Sequence, residues 1–362
     1  SSITNKPVKT FTVGFTDNFK FNELKEARYT SELINSEHHE LIVSSEDYIN
    51  LLPFTVWHME EPVSTGSILA YYLICKLARE NVKVVLTGQG ADEPFAGYPR
   101  HFGEYYGKFY RNLPELLRDK ILNPIALNLP RNERIKRAVK SLSITNVPDR
   151  LKLVYETLDS NIRQELFNSS FENYNNMGNA IMMWQPDVTH LDGLNQMLYV
   201  DSRLSLPDNL LLYGDKMAMA VSLEARVPFL DLDLMRLVES IPSKYKIHGT
   251  TQKYLLKKAV AKWIPKEIIN RKKIGFTTPL DDWFQSNLRK EIEERLLSEG
   301  SACRQYFNLN VIRKMLNDHF EKKEDYKRAL FSFLTFEIWY EQFIKPTHTE
   351  FVARAVNSPK YL

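Results

Sequence analysis

The sequence predicts a mixed α/β fold: a parallel-stranded layer at the amino-terminal end, joined to a large all-helical part. Three observations predict it. Apolar strand-like runs alternate with helical patterns over roughly the first hundred residues, which is the rhythm of parallel βαβ units. Beyond Tyr98 the strand signals nearly stop and long helical periodicities take over. No Pro/Gly/Ser-rich linker separates the two parts, so they are expected to pack as one unit.

Each element has its own signal. Thr10-Phe11-Thr12-Val13-Gly14-Phe15 reads as a buried strand ending near a glycine. Asn22 is the expected N-cap of a helix whose apolar face is Leu24, Ala27 and Ile34. His39–Val43 reads as a second strand, and Ser45-Glu46-Asp47 as the cap of the helix that follows. Ile68–Leu77 is apolar nearly all round, which predicts a buried helix. Val82–Leu86 is the third strand. In the helical part, Leu255, Leu256, Ala259 and Trp263 recur at helical spacing, as do Leu330, Phe333, Leu334 and Ile338. The Trp and Tyr residues of the C-terminal helices fit core positions better than a stacking platform. Residues beyond Lys345-Pro346 carry little pattern and are expected to fray. The resulting division is 1–105 for the α/β layer, 106–345 for the helical part and 346–362 for a tail.

Composition excludes several function classes. The 362 residues are 43% hydrophobic and 26% charged, an ordinary globular balance. The formal net charge of +3 is small, and no long basic run is interleaved with aromatics, so no nucleic-acid partner is expected. There is no run of ~18 apolar residues to span a membrane, and no signal peptide is visible. Cys75 and Cys303 stand far apart with no spacing that suggests a disulfide or zinc site, which points to a reducing cytoplasm. His38-His39-Glu40 is not a metal site, because alternate strand residues face opposite ways. The chain starts Ser1-Ser2-Ile3-Thr4 and its first methionine is Met59, so it reads as a piece of a longer polypeptide.

The most informative stretch is Leu86-Thr87-Gly88-Gln89-Gly90-Ala91-Asp92-Glu93-Pro94-Phe95-Ala96-Gly97-Tyr98. Its two glycines allow close backbone approach to a ligand at the end of a strand, where open α/β sheets bind ligands. Asp92 and Glu93 add carboxylates beside a loop-to-helix turn. Taken alone, the stretch fits either a nucleotide–Mg²⁺ site or a tight turn with an acidic helix N-cap.

A second set of segments lies downstream. It comprises Gly214-Asp215-Lys216-Met217-Ala218-Met219-Ala220, Ser222-Leu223-Glu224-Ala225-Arg226-Val227-Pro228-Phe229-Leu230-Asp231, Gln252-Lys253-Tyr254-Leu255-Leu256-Lys257-Lys258 and Arg271-Lys272-Lys273-Ile274-Gly275-Phe276-Thr277-Thr278-Pro279. In this order, with the first stretch upstream, they resemble the synthetase domain of glutamine-dependent asparagine synthetases, from about Thr10 to about Phe343. Leu223–Asp231 is the most specific part of the likeness. Beta-lactam synthetases share the fold and much of the motif set.

The resemblance implies a parallel-sheet layer of the adenine-nucleotide alpha-hydrolase-like (PP-loop) kind, lacking its first strand, plus the helical part. It implies ATP and Mg²⁺, an aspartate side chain activated as an acyl-adenylate, and pyrophosphate release. Ammonia from glutamine then attacks, supplied by an N-terminal glutaminase domain. Negative charge builds on the departing pyrophosphate, so metal and lysine are needed there. Carried over by position, Val13, Thr87, Gly88 and Gly90 fall on the nucleotide side and Asp92 on a Mg²⁺ ligand. Lys253 and Lys273 fall on basic positions near the phosphates, and Gln89 near the reaction centre. Glu224, Arg226, Asp231 and Asp215 are assigned to the substrate pocket. Plainer roles stand beside these. Asp92 also suits a helix cap, Lys253 shares a helical face with Lys257, and Glu224 with Arg226 also suits a structural ion pair.

Two departures matter. The family's Ser-Gly-Gly-x-Asp-Ser loop is not in the chain. With it go a second Mg²⁺ aspartate and a strand from the middle of the sheet, which would leave unpaired edges on both sides of the gap. The chain alone is therefore expected to be inactive. Second, Gln89 stands where the family often has glutamate, and a neutral amide cannot act as a general base. The rival expectations are a related ligase acting on another carboxylate and, from another class, a non-catalytic interaction module. A homodimer is the candidate assembly.

Overall fold

The computed structural model describes residues 6–16, 19, 22–128, 133–167, 176–271 and 275–345. The expected tail, 346–362, lies outside them. β1 (Lys9–Phe15) and β2 (Glu37–Val43) pair in parallel, from Lys9 opposite Glu37 to Phe15 opposite Val43, and α1 (Leu24–Ile34) makes the crossover. α2 (Ser45–Met59) and α3 (Ser67–Arg79) follow, then β3 (Val84–Leu86). β3 pairs in parallel with β4 (Glu224–Arg226), a strand formed by the most specific segment of the sequence. That strand was not expected, because three residues are too few for alternation to register. β5 (Ile247–His248) and β6 (Thr251–Gln252) make a small antiparallel pair, and α4 (Pro99–Arg111) opens a mainly helical remainder.

Local chemistry fixes the ends. The N-cap of α1 is Glu23 rather than Asn22. Asn22 instead donates through Nδ2 to the Phe15 carbonyl at 3.0 Å, tying off the end of β1. Of the predicted face of this helix, Leu24 and Ala27 are half-buried and Ile34 is exposed. Ser44, one residue ahead of the expected cap, starts α2 with a capping box: its Oγ accepts from the Asp47 N–H, and Asp47 Oδ2 accepts from the Ser44 N–H. On β2, His38 faces Glu40 (3.2 Å) while His39 stacks on Phe11 and reaches Glu37, so neighbouring residues do face opposite ways.

One continuous core joins the two parts. Ile68 and Leu69 of α3 and Tyr48, Leu52 and Val56 of α2 pack in it with Leu330, Leu334 and Ile338 of the helix Lys327–Phe343. Trp283 sits in the same core against the rings of Tyr48 (5.2 Å) and Phe15 (5.9 Å). The helix Tyr254–Val260 differs from expectation. Leu255 and Leu256 are half-buried, and Ala259 and Trp263 are exposed, so its apolar periodicity does not mark a core face. Among the described residues, no helix is long and apolar enough to cross a membrane. Cys75 and Cys303 are free and buried.

Among the described residues, β1 pairs only with β2, and β3 only with β4. Each pair therefore has strand edges that no described strand occupies, and β1 and β3 line a common cavity.

Candidate functional site

The cavity has a volume of about 900 Å³. Val8 and Lys9–Phe11 of β1 form one wall and Val84–Leu86 another, with Ile74, Cys75 and Ala78 of α3 also lining it. Its polar end is the loop after β3, Thr87-Gly88-Gln89-Gly90, together with Asp92. The Thr87 N–H donates to the Arg226 carbonyl at 2.9 Å, so the β3–β4 ladder runs into the loop and fixes where it starts. This is the carboxyl end of a parallel strand, the usual ligand position in open sheets.

The two glycines differ. A Cβ at Gly88 would meet nothing within 4 Å, so this backbone is open to a ligand. Gly90 has φ +78°, which favours glycine, and a Cβ there would collide with Leu230.

The acidic pair diverges. No helix begins until Pro99, where Tyr98 is the N-cap, so Asp92 is not a helix cap. Glu93 is 0% exposed and accepts the Tyr98 hydroxyl hydrogen bond on Oε1 at 2.7 Å; burial raises its pKa. Asp92 lines the cavity and pairs with the Lys253 ammonium at 2.8 Å. Lys253 is not on the face of the following helix with Lys257. It precedes that helix in a left-handed conformation, φ 52°, and its side chain turns back to Asp92.

Gln89 is held at both ends of its carboxamide. The Tyr71 hydroxyl donates to Oε1 at 3.2 Å, and Nε2 donates to the Leu210 carbonyl at 3.3 Å. Gly214 makes room for it, since a Cβ there would stand 3.0 Å from Oε1. Burial pushes the Tyr71 phenol up, and that of Tyr213 up to about 12; the two rings meet edge to face at 5.5 Å. The group nearest the loop is thus a neutral amide among neutral phenols.

Other predicted residues do not come to the cavity. Val13 lies within β1 opposite Leu41, buried, while the cavity takes the other half of the strand. Glu224 and Arg226 pair with each other at 2.8 Å on one exposed face of β4. Asp231 caps the helix Leu232–Glu239, its Oδ1 accepting from the Asp233 and Leu234 N–H groups. Asp215 is exposed on the helix Leu212–Met219. The four residues assigned to a substrate pocket therefore do not line this cavity. Lys273 lies outside the described residues. Its flanks are anchored: Arg271 donates to the Glu26 carbonyl and to Thr30 Oγ1 at 3.1 Å, and Ser67 Oγ donates to the Phe276 carbonyl at 2.6 Å.

Tyr71, Tyr213 and Leu210 line the cavity and were not singled out in the sequence, and Phe276, quoted there only within a motif, lines it as well. A signal existed for the α3 wall: Tyr71, Ile74, Cys75 and Ala78 stand at i, i+3, i+4 and i+7, one helix face.

The donor set suits a nucleotide-borne Mg²⁺ better than an all-protein cage. Such ions are held through one or two carboxylates plus substrate phosphates, and Asp92 offers one carboxylate beside open backbone at Gly88. A separate group, Asp281, His319 and Asp325, lies elsewhere. There His319 Nδ1 accepts the Tyr326 N–H at 3.3 Å, which puts the ring proton on Nε2, facing Asp281 at 3.6 Å. The three side chains present one ligand atom each within 4.8 Å of one another.

The family model described as asparagine synthase matches residues 1–341. Among curated relatives, the chain is 31% identical over 333 residues to a Bacillus subtilis protein named asparagine synthetase [glutamine-hydrolyzing] 1, covering 92% of this chain and 52% of that one. It is 28% identical over 371 residues to a Mycobacterium tuberculosis protein named putative asparagine synthetase [glutamine-hydrolyzing], covering 99% and 53%. It is also 24% identical over 348 residues to a Penicillium rubens protein named amidase chyE, covering 88% and 50%. The chain spans about half the length of these relatives.

Proposed function

The chain belongs to the asparagine synthase family, and from that premise we propose that it forms the ATP-binding, amide-forming half of a glutamine-dependent synthetase. The observation that carries this reading is the Asp92–Lys253 pair beside an open glycine loop, at the carboxyl end of β3 and the polar end of a 900 Å³ cavity. Thr87, Gly88 and Gly90 approach the nucleotide through backbone. Asp92 holds the metal side. Lys253 neutralises the phosphates, with Lys273 as a second basic group. Mg²⁺, when bound, would offset charge on the departing pyrophosphate. Gln89 faces the reacting carboxylate as a neutral group and cannot take its partner's proton.

The acid to be activated is aspartate in this reading, with ammonia drawn from glutamine by a glutaminase domain of a longer protein. The doubled length of the relatives supports that arrangement. Among the described residues β1 and β3 each pair with one other strand and both line the cavity, which is compatible with that arrangement. Buried free thiols fit a reducing compartment, so the cytoplasm is the proposed location. A second reading, a ligase on another carboxylate, is favoured by one observation: Gln89, where the resemblance leads one to expect glutamate, is a neutral amide locked by Tyr71 and Leu210.

The test is carboxylate-dependent ATP–pyrophosphate exchange by the full-length protein, across a panel of acids. Exchange selective for aspartate supports the first reading, and exchange selective for another acid the second. No exchange and no Mg-ATP binding would leave an interaction module. Robust exchange by residues 1–362 alone would refute dependence on a longer protein.

A further inference from the structure

Gln252 directs both N–H groups of one amide nitrogen at a single turn. Nε2 donates to the Ala96 carbonyl at 3.1 Å and to the Tyr98 carbonyl at 2.7 Å. These carbonyls flank Gly97, whose N–H donates to the Asp92 carbonyl at 2.8 Å. Ala96 is fully buried with φ +60°, a left-handed backbone state that disfavours a non-glycine residue. The bare Cα of Gly97 is where the ion pair lies, since a Cβ there would collide with Asp92 Oδ1 and with Lys253 Cε. Gln252 is itself fixed by pairing with Ile247, which is fully buried. Successive residues thus do linked jobs: Gln252 grips the turn, and Lys253 reaches across the turn's glycine to Asp92.

We propose that Gln252 is a positioning residue of this site, holding the 96–98 turn so that the Lys253 ammonium meets Asp92, with Gly97 as the required clearance. The role needs a neutral double donor of this length. Glutamate would turn two acceptors toward two carbonyls, methionine would keep the shape and lose both bonds, and lysine or arginine would set a second cation beside Lys253. The proposal rests on the reading of Asp92 and Lys253 as the phosphate-side pair.

The test is a double-mutant cycle in the full-length protein. Gln252→Met is expected to lower kcat for carboxylate-dependent exchange by roughly 10- to 100-fold, with KM for the acid changed by less than about twofold. In a Lys253→Met background the same change should cost less than about twofold. Gly97→Ala reaches the ion pair from the other side, so it should reproduce the loss and serves if Gln252→Met does not fold. Equal losses in both backgrounds, or a fall in melting temperature with kcat intact, would overturn the proposal. If the wild type shows no exchange, the functional reading fails and the positioning role is judged by NMR of the Lys253 ammonium. A protected signal lost in Gln252→Met sustains it; a signal retained in that variant ends it.

Discussion

Two ion pairs in this molecule have similar contact distances and opposite settings. Glu104 and Arg150 meet in the helical part through two bonds, 2.7 and 2.8 Å, and both side chains are 2% exposed. The third guanidinium nitrogen donates to the Ile144 and Thr145 carbonyls at 2.6 and 2.9 Å. Asp92 and Lys253 share one contact of 2.8 Å, 14% and 19% exposed, at the edge of a cavity. The first pair is enclosed and satisfied, as a charge pair must be when removing one partner strands the other. The second is partly exposed, and its carboxylate residue lines the cavity. The difference separates a pair enclosed in the fold from one set at a cavity.

The comparison breaks first at Glu104. Glu104→Ala should destabilise the protein by about 3–5 kcal/mol, read as a fall in the urea midpoint, because Arg150 is left buried and uncompensated. A loss below about 1 kcal/mol would make the two pairs alike.

Lys253→Met should do the reverse. Stability should change by less than about 1 kcal/mol, while carboxylate-dependent exchange by the full-length protein falls roughly 10²–10³-fold. Parallel losses of stability and rate would erase the distinction.

A third test uses pH. Burial pushes the Asp201 carboxyl up, but the Arg100 guanidinium, His101 and the Tyr155 hydroxyl overcome it and hold the group at about 2. That is below the value of an unfolded aspartate, so the stabilisation is complete above about pH 4 and is lost as pH falls toward 2. Its size is about 2 kcal/mol. His101 is fully buried and lowered by that burial, against the pull of Asp201. It accepts the Tyr98 N–H on Nδ1 and faces Asp201 through Nε2, so its neutral form suits the site. Protonating it below its unfolded value adds to acid destabilisation. Asp201→Asn should therefore cost most near neutrality and least near pH 2–3, measured by urea unfolding at each pH. A deficit independent of pH would remove the Arg100–Asp201–His101 cluster from this account.

The smallest effect is expected at Gln89. Gln89→Glu keeps the Tyr71 contact but sets a carboxylate against the Leu210 carbonyl, and should cost about 1–2 kcal/mol at neutral pH. In the full-length protein it should also alter rate or acid preference. Unchanged kinetics across aspartate and several analogues would take Gln89 out of the specificity argument.

What the sequence disclosed followed from contiguity. Gly88, Gly90 and Asp92 share one short run after a strand, and the structure gathers them at one cavity. The buried helix over Ile68–Leu77 was plain because apolar residues on every side admit one reading. What escaped depended on geometry that spacing along the chain does not show. β4 is three residues long and exists because β3 offers it an edge. The Glu93 carboxyl turned inward because Tyr98, five residues on, received it. Asp231 was assigned to the pocket by its motif, and its side chain caps a helix, a role that requires knowing where the helix starts. Lys253 matched a helical face with Lys257 by spacing, and one left-handed residue moved it to Asp92.

The edges of β1 and β3 that no described strand occupies carry a practical consequence for anyone handling residues 1–362 alone. Leu86 is 73% exposed on β3, beside backbone groups that no described strand occupies. Such a surface templates strand addition from any chain that drifts against it. The expected behaviour in the test tube is concentration-dependent turbidity, slowed by dilution and by peptides that bind the same edges. Loss of soluble protein on standing would then report on an exposed template rather than on a weak core, and light scattering at several dilutions distinguishes the two.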